Sequence, residues 1–170
     1  DRLVTGTLER QRDTLSAMGY DGDAEVHAGF DEYDFHDLLK ARYKGVVPEM
    51  VSSDRKTHFR TLRDTVLEWQ AGTLTGCAET YAEFSERTAA AMAHATRDGA
   101  RQVLVVSSGG VIGQLVSRAL EAPARMMMEL NLQIKNTAVT KFVFSGTRHF
   151  VHQFNATPHF DTDHDLLTYS

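Results

Sequence analysis

Hydrophobic positions recur along this chain with two alternating periods, and their order predicts the order of strands and helices. Leu3-Val-Thr5 is a short β-branched run that predicts a strand. Leu8, Leu15 and Met18 share one face of a helix over 8–18, with Thr7 as its cap and Gly19 as its stop. From Asp21 to Asp54 no period holds. That stretch carries the acidic and aromatic cluster Asp31-Glu-Tyr-Asp-Phe-His36, then Gly45 and Pro48, and it predicts an excursion over the surface. Periodicity returns with Phe59, Leu62, Val66 and Trp69, spaced i, i+3, i+7, i+10, as a helix burying one stripe. Tyr81, Phe84, Thr88, Ala91, Met92 and Ala95 repeat the pattern until Asp98-Gly99. Val103-Leu-Val-Val106 then forms an unbroken apolar run, the signature of a strand buried on both faces. It opens through Ser107-Ser-Gly-Gly110 into a helix carrying Val111, Ile112, Leu115, Val116, Ala119 and Leu120, which ends near Pro123. Two further strands, over 138–144 and 148–154, meet at Ser145-Gly146 as a hairpin.

Strands alternating with helices, closed by a hairpin, predict an α/β three-layer sandwich with a mostly parallel sheet and an antiparallel edge strand. No repeat, low-complexity tract or linker divides residues 1–170, so a single domain is expected. The 170 residues are 42% hydrophobic and 24% charged, which suits a globular core. A net charge of −5 argues against general nucleic-acid binding, which calls for a basic face. The single cysteine, Cys77, forbids an internal disulfide and fits a reducing, cytoplasmic setting. No stretch is long enough and apolar enough to cross a bilayer, so no membrane partner is expected. Met126-Met-Met128 is flexible apolar filler, and the Met126 to Leu132 stretch is a candidate surface for burial in a homo-oligomer.

In parallel sheets ligands gather beyond the carboxyl ends of the strands. Two such ends carry chemistry here. At Ser107-Ser-Gly-Gly110 the first amides of a helix and the positive end of its dipole favour phosphate or carboxylate, although the glycines equally serve only to let the chain reverse. At Thr5-Gly-Thr-Leu-Glu-Arg10-Gln-Arg12, small polar residues lead into a helix whose first turn holds arginine. Arginine opposes the dipole there, so Arg10 either points at a bound anion or is solvated on the surface.

Five segments, in order, resemble the histidine phosphatase superfamily, the group that includes the phosphoglycerate mutases. Leu3-Val-Thr-Gly-Thr-Leu-Glu-Arg10-Gln-Arg-Asp-Thr14 is similar to its Ser-x-Leu-x-Arg-x-x-x-Thr segment. Glu32-Tyr-Asp-Phe-His36 is similar to its Glu-x-x-Phe-Gly element, and Ala78-Glu79-Thr80 with Arg87 to its Gly-Glu-Ser element and following arginine. Val103 to Gly110 resembles its strand ending in Ser-His-Gly-Gly. Asn136-Thr-Ala-Val-Thr140, Phe154-Asn155 and His159 resemble its closing strand and tail. The resemblance implies a phosphoglycerate mutase-like fold, and a phosphomonoester phosphatase working through a phosphohistidine on a phosphorylated small molecule. It assigns Arg10, Thr7, Ser108, Gly109 and Gly110 to phosphate binding, and Glu32 and Ser108 to catalysis, Glu32 as proton donor in a setting dried by Tyr33 and Phe35. It implies no metal or organic cofactor, because the family's chemistry uses side chains alone.

Two departures stand out. The family's opening strand ends in Arg-His-Gly, whose histidine accepts the phosphoryl group, and this sequence contains no such tripeptide; its Leu3 strand resembles the family's second, so the acceptor is expected upstream of Asp1. Ser108 occupies the place of the family's second active-site histidine, which predicts weaker catalysis. A phosphoglycerate mutase, or a phosphate-ligand binder of the same fold without turnover, are the alternatives. A serine hydrolase would use Ser108 with Asp161 or Asp163 and His164, but Val106 stands where the nucleophile elbow needs its first glycine. A metal site drawn from His149, His152, His159, His164, Asp161 and Asp163 is disfavoured, since residues three apart on a strand face opposite ways. Cys77 has no adjacent base and reads as inert.

Overall fold

A computed structural model describes residues 1–20, 22, 24–160 and 164–169. The protein is a mixed α/β chain, with a parallel sheet and an antiparallel pair of strands. Its residues group into two compact units, one of 1–32 with 87–170 and the other of 33–86.

In the first unit, β1 (Arg2–Thr5) lies between β2 (Glu25–Val26) and β3 (Val103–Val106) and runs parallel to both. β1 and β3 pair in register from Arg2 opposite Val103 to Thr5 opposite Val106. The Thr5 carbonyl accepts from His27 N–H at 2.8 Å and the Val106 carbonyl from Gly6 N–H at 3.3 Å. Three chain crossings therefore leave the sheet side by side at its carboxyl edge, the place a parallel sheet reserves for ligands.

α1 (Glu9–Ala17) follows β1 and buries Leu15 with Gln11. It ends as its sequence predicts. Gly19 takes φ of +83°, its N–H meets the Ser16 carbonyl at 2.8 Å, and Tyr20 N–H reaches back to Leu15 at 3.3 Å, which satisfies the last orphan carbonyls. Its start differs from expectation, because Leu8 and not Thr7 takes the cap position. The Thr7 hydroxyl and amide are instead both engaged by the Asp31 carboxylate, each at 2.5 Å.

α6 (Gly109–Ala119) packs on α7 (Arg125–Asn131) so tightly that a Cβ on Gly113 would lie 2.8 Å from the Met127 carbonyl. Met127 and Met128 are fully buried within this unit, so the apolar heart of the 126–132 stretch is spent on the chain's own core. The terminal hairpin is formed by β4 (Val139–Ser145) and β5 (Arg148–Ala156), turning at Gly146 with φ of +57°. It is a ladder of its own, with Thr140, Phe142 and Phe144 half-buried and Lys141 and Val143 exposed between them.

The second unit holds α2 (Phe35–Arg42), α3 (Met50–Ser53), α4 (Arg55–Gln70) and the start of α5 (Tyr81–Ala95). Asp34 caps α2 by accepting from Asp37 N–H at 3.0 Å, and Asp54 caps α4 by accepting from Thr57 N–H at 2.7 Å. Its core is aromatic. Tyr33 meets Trp69 at 5.4 Å and Phe84 edge-on at 5.7 Å, and Trp69 Nε1 donates to the Glu79 carbonyl at 2.8 Å. Arg42 bonds the Thr65 hydroxyl at 2.8 Å and pairs with Glu68 at 2.9 Å. The 21–54 stretch is thus more regular than its sequence period predicts, holding β2, a one-turn 3-10 helix over Ala28–Phe30, α2 and α3.

Candidate functional site

Six side chains or amides singled out from sequence, Thr7, Arg10, Glu32, Ser108, Gly109 and Gly110, lie in the first unit on the three crossings that leave the sheet's carboxyl edge. Arg10 stands in the first turn of α1 and is exposed. Its Nη2 donates to the Ser108 hydroxyl oxygen at 3.2 Å, across 98 residues of sequence. A cation that opposes its own helix dipole is thereby aimed at the amino end of another helix, where an anion would be shared by both.

Ser107 and Ser108 divide the work at the β3 to α6 turn. Ser107 Oγ donates to the Phe30 carbonyl at 2.8 Å and fastens the turn to the crossing that carries Glu32. Ser108 is the α6 cap residue, with extended backbone. Gly110 N–H donates to Glu32 Oε2 at 2.8 Å, so the half-buried carboxylate already sits against the helix's amino end. Of the two glycine amides expected to face phosphate, Gly110's has that internal acceptor, and Gly109's has none among the described residues. A Cβ at Gly109 would fall 2.5 Å from Asn131 Oδ1, so a larger residue there requires the Asn131 side chain to shift. Thr7 reaches the site through Asp31, to which both its donors are committed.

Two residues that sequence reasoning left without a role hold these crossings together. Gln11, 2% exposed, donates from Nε2 to the Phe30 carbonyl at 2.9 Å and to Ser108 Oγ at 3.0 Å, and its Oε1 accepts from Leu8 N–H at 3.3 Å. The signal for it is faint but real. Gln11 lies three residues after Leu8 and four before Leu15, on the apolar stripe of its helix. Arg87, which the family motif includes, turns its guanidinium onto the carbonyls of Ala28, Gly29 and Asp31 at 3.4, 3.2 and 2.8 Å. That grip fixes the backbone immediately before Glu32. Gly29 fits under it only because it lacks a side chain, since a Cβ would meet Ala91 Cβ at 2.6 Å.

The remaining residues singled out from sequence have contacts of their own. The rings of Tyr33 and Phe35 pack within the second unit, Tyr33 on Trp69 and Phe84 and Phe35 edge-on to His58 at 5.7 Å. Asn155, with φ of +56°, accepts from Lys135 N–H at 2.9 Å and donates to the Gln133 carbonyl at 2.6 Å, which ties β5 to the end of α7. Asn136 bonds Thr168, and His159 contacts the Thr137 hydroxyl at 3.0 Å. Asp161 and Asp163 lie outside the described residues, as does the side chain of His164. His149 is half-buried beside Thr96 Oγ1 at 2.8 Å, and burial holds its imidazole below the usual histidine range, whereas His152 is exposed. Among the described residues no three acidic, histidine or cysteine side chains are grouped to hold a metal. The Cys77 thiol is pushed up by burial and by the neighbouring Asp37 carboxylate, which disfavours the reactive thiolate. No helix among the described residues is long and apolar enough to cross a membrane.

Known proteins give this geometry its context. No curated protein sequence matches the chain. Solved structures do. A phosphoserine phosphatase from Entamoeba histolytica in complex with 3-phosphoglyceric acid matches with a TM-score of 0.62 at 21% identity, over 94% of this chain and 75% of that one. A mutant of that enzyme in complex with phosphoserine gives the same TM-score at 19% identity and the same coverage. The alpha-ribazole phosphatase from Shigella flexneri matches with a TM-score of 0.63 at 17% identity, over 92% of this chain and 73% of that one. Identities this low establish the shared fold, which is phosphoglycerate mutase-like. The histidine phosphatase superfamily (branch 1) model matches residues 1–157, and the chain therefore belongs to that superfamily.

Proposed function

We propose that the protein hydrolyses phosphomonoesters through a phosphohistidine, with the acceptor histidine carried on sequence upstream of Asp1. One observation carries the binding half of this reading, the Arg10 guanidinium meeting Ser108 Oγ at the amino end of α6. A phosphoryl group in transfer spreads negative charge over its equatorial oxygens, so it needs fixed positive charge and donors held in place beforehand. Arg10 supplies the charge in a planar fork suited to two oxygens. The Ser108 hydroxyl and the Gly109 amide supply neutral donors.

The acceptor nitrogen would attack phosphorus as the ester P–O bond breaks, and Glu32 would give its proton to the departing oxygen. Water would then attack the phosphohistidine, its proton returning to Glu32, with release of phosphate and free histidine. The position of β3 at the edge of the described sheet supports an acceptor on a neighbouring strand. Its four residues are apolar, as in a strand covered on both faces, and among the described residues it pairs with β1 alone, which leaves its other edge for a further strand. The family match crosses both compact units, which supports treating 1–170 as one histidine phosphatase-like domain. Phosphoserine and 3-phosphoglyceric acid in the neighbouring structures support a small phosphorylated substrate, and the single cysteine supports a cytoplasmic setting.

Ser108 favours a second reading, a phosphate-ligand binder without turnover. A hydroxyl offers a donor but never a cation, so transition-state charge is less well met, by about a few kcal/mol where no other group supplies the charge. Nucleophilic serine chemistry is disfavoured, because both recorded neighbours of Ser108 Oγ donate to it and neither can take its proton. Hydrolysis of p-nitrophenyl phosphate by the full-length protein, with its upstream histidine changed to alanine as control, tests the proposal. Turnover with an acid-labile phosphoenzyme supports it. Phosphate binding without turnover selects the second reading.

A further inference from the structure

Ser108 stands at the cap position of α6 and does not cap it. A serine there ordinarily accepts from the second or third amide of its helix. Here the second amide, Gly110 N–H, is taken by Glu32 instead. The serine oxygen is occupied otherwise, by Gln11 Nε2 at 3.0 Å and Arg10 Nη2 at 3.2 Å.

A hydroxyl has two lone pairs and one hydrogen. Both neighbours of Oγ are donors, so both lone pairs are filled and the hydrogen must point elsewhere. The guanidinium can only donate. The orientation of the Gln11 amide is equally fixed, since the Phe30 carbonyl can only accept from it and the Leu8 N–H can only donate to it. Among the described residues nothing accepts the Ser108 hydrogen. We infer that Gln11 is a positioning residue for the phosphate site: with Arg10 it fills the lone pairs of Ser108 and turns that O–H outward as a fixed donor to an anion.

This deepens the reading of the site as phosphate-binding and rests on it. It also explains why a glutamine is buried at 2% exposure inside an apolar stripe. A serine so held offers the same neutral donor at every pH near neutrality, where an imidazole would change its charge. It cannot at the same time accept a proton from the ligand, so the site selects for the more deprotonated phosphate.

The test measures binding of inorganic phosphate by calorimetry to the wild-type chain, Gln11→Met, Ser108→Ala and the double variant. Gln11→Met keeps the side chain's length and removes its donors. Each single change is expected to weaken binding by about tenfold, the worth of one oriented hydrogen bond. The double variant is expected to bind about as weakly as Ser108→Ala, because the effect of Gln11 on the ligand runs through Ser108, its other bonds being to backbone groups of Phe30 and Leu8. Unchanged binding in Gln11→Met overturns the inference, and so do penalties that multiply to about 100-fold in the double variant. Failure of the wild type to bind phosphate at all sinks the phosphatase reading and this inference with it. If Gln11→Met does not fold, the side-chain amide resonances of Gln11 decide in the phosphate-free protein. One of them must shift on Ser108→Ala, and two unmoved resonances overturn the inference.

Discussion

Gly6→Ala is the sharpest small perturbation of this site. A Cβ at position 6 would fall 1.9 Å from Gln11 Oε1, 2.7 Å from Gln11 Cδ and 2.5 Å from Asp31 Oδ1. Side-chain tips usually swing away cheaply, but these two are tied. Gln11 is 2% exposed and holds Leu8, Phe30 and Ser108, and Asp31 holds both donors of Thr7. Moving Gln11 breaks three bonds worth about 1 kcal/mol each, and leaves buried groups without partners. Against that, alanine narrows the unfolded ensemble and returns about 0.5–1 kcal/mol. The net expectation is a loss of about 2–3 kcal/mol, read as a lower urea midpoint at unchanged slope. Phosphate affinity should fall as well, because Ser108 loses its partner. A variant within about 0.5 kcal/mol of wild type would refute the claim that Gln11 is locked in place.

Other expectations follow from the same geometry. The hydrogen bonds of His94 and then Arg2 hold the Glu25 carboxyl below its usual range. Its contribution is therefore present above the ordinary glutamate range of about 4.3 and lost as pH falls toward the lower folded value, and Glu25→Gln should flatten the acid limb of a stability-against-pH curve. Met127→Ala, at a fully buried position, should cost about 2–5 kcal/mol by denaturant titration. Ser108→His in the complete protein should raise turnover of p-nitrophenyl phosphate, provided Gln11→Ala clears the space beside it. An unchanged or lower rate in that pair would count against the serine as the weak point of the site.

Sequence period located the long elements because their packing is local. Tyr81, Phe84, Thr88, Ala91 and Ala95 mark α5 from end to end, and the Val103 run marks β3. Short elements escaped because their partners are distant. β2 is two residues long, with Val26 exposed, and exists only as a neighbour to β1. α2 carried a usable sign in Asp34 followed by Phe35, Leu38 and Leu39, which the surrounding acidic and aromatic residues obscured. Thr7 reads as a cap locally and loses that role to Asp31, 24 residues away. The methionines of α7 show why an apolar run does not announce its partner: Met127 and Met128 are buried in the chain's own core, with the Met127 carbonyl against Gly113 of α6. In the candidate site, Arg10 and the serine-glycine turn were legible from helix electrostatics. Glu32 was named through family likeness alone, and its contact with Gly110 N–H depends on three crossings meeting at one sheet edge.

The central claim is that Arg10 and the amino end of α6 form one anion site. Titration of inorganic phosphate followed by backbone amide resonances tests it most directly, in the wild type and in Arg10→Met. The account predicts saturable shifts centred on Gly109 and Ser108 in the wild type, and binding weaker by about 10- to 100-fold in the variant, since a charge-assisted bond is worth roughly 1.5–3 kcal/mol. Shifts that centre elsewhere, or a variant that binds as well as the wild type, would contradict it.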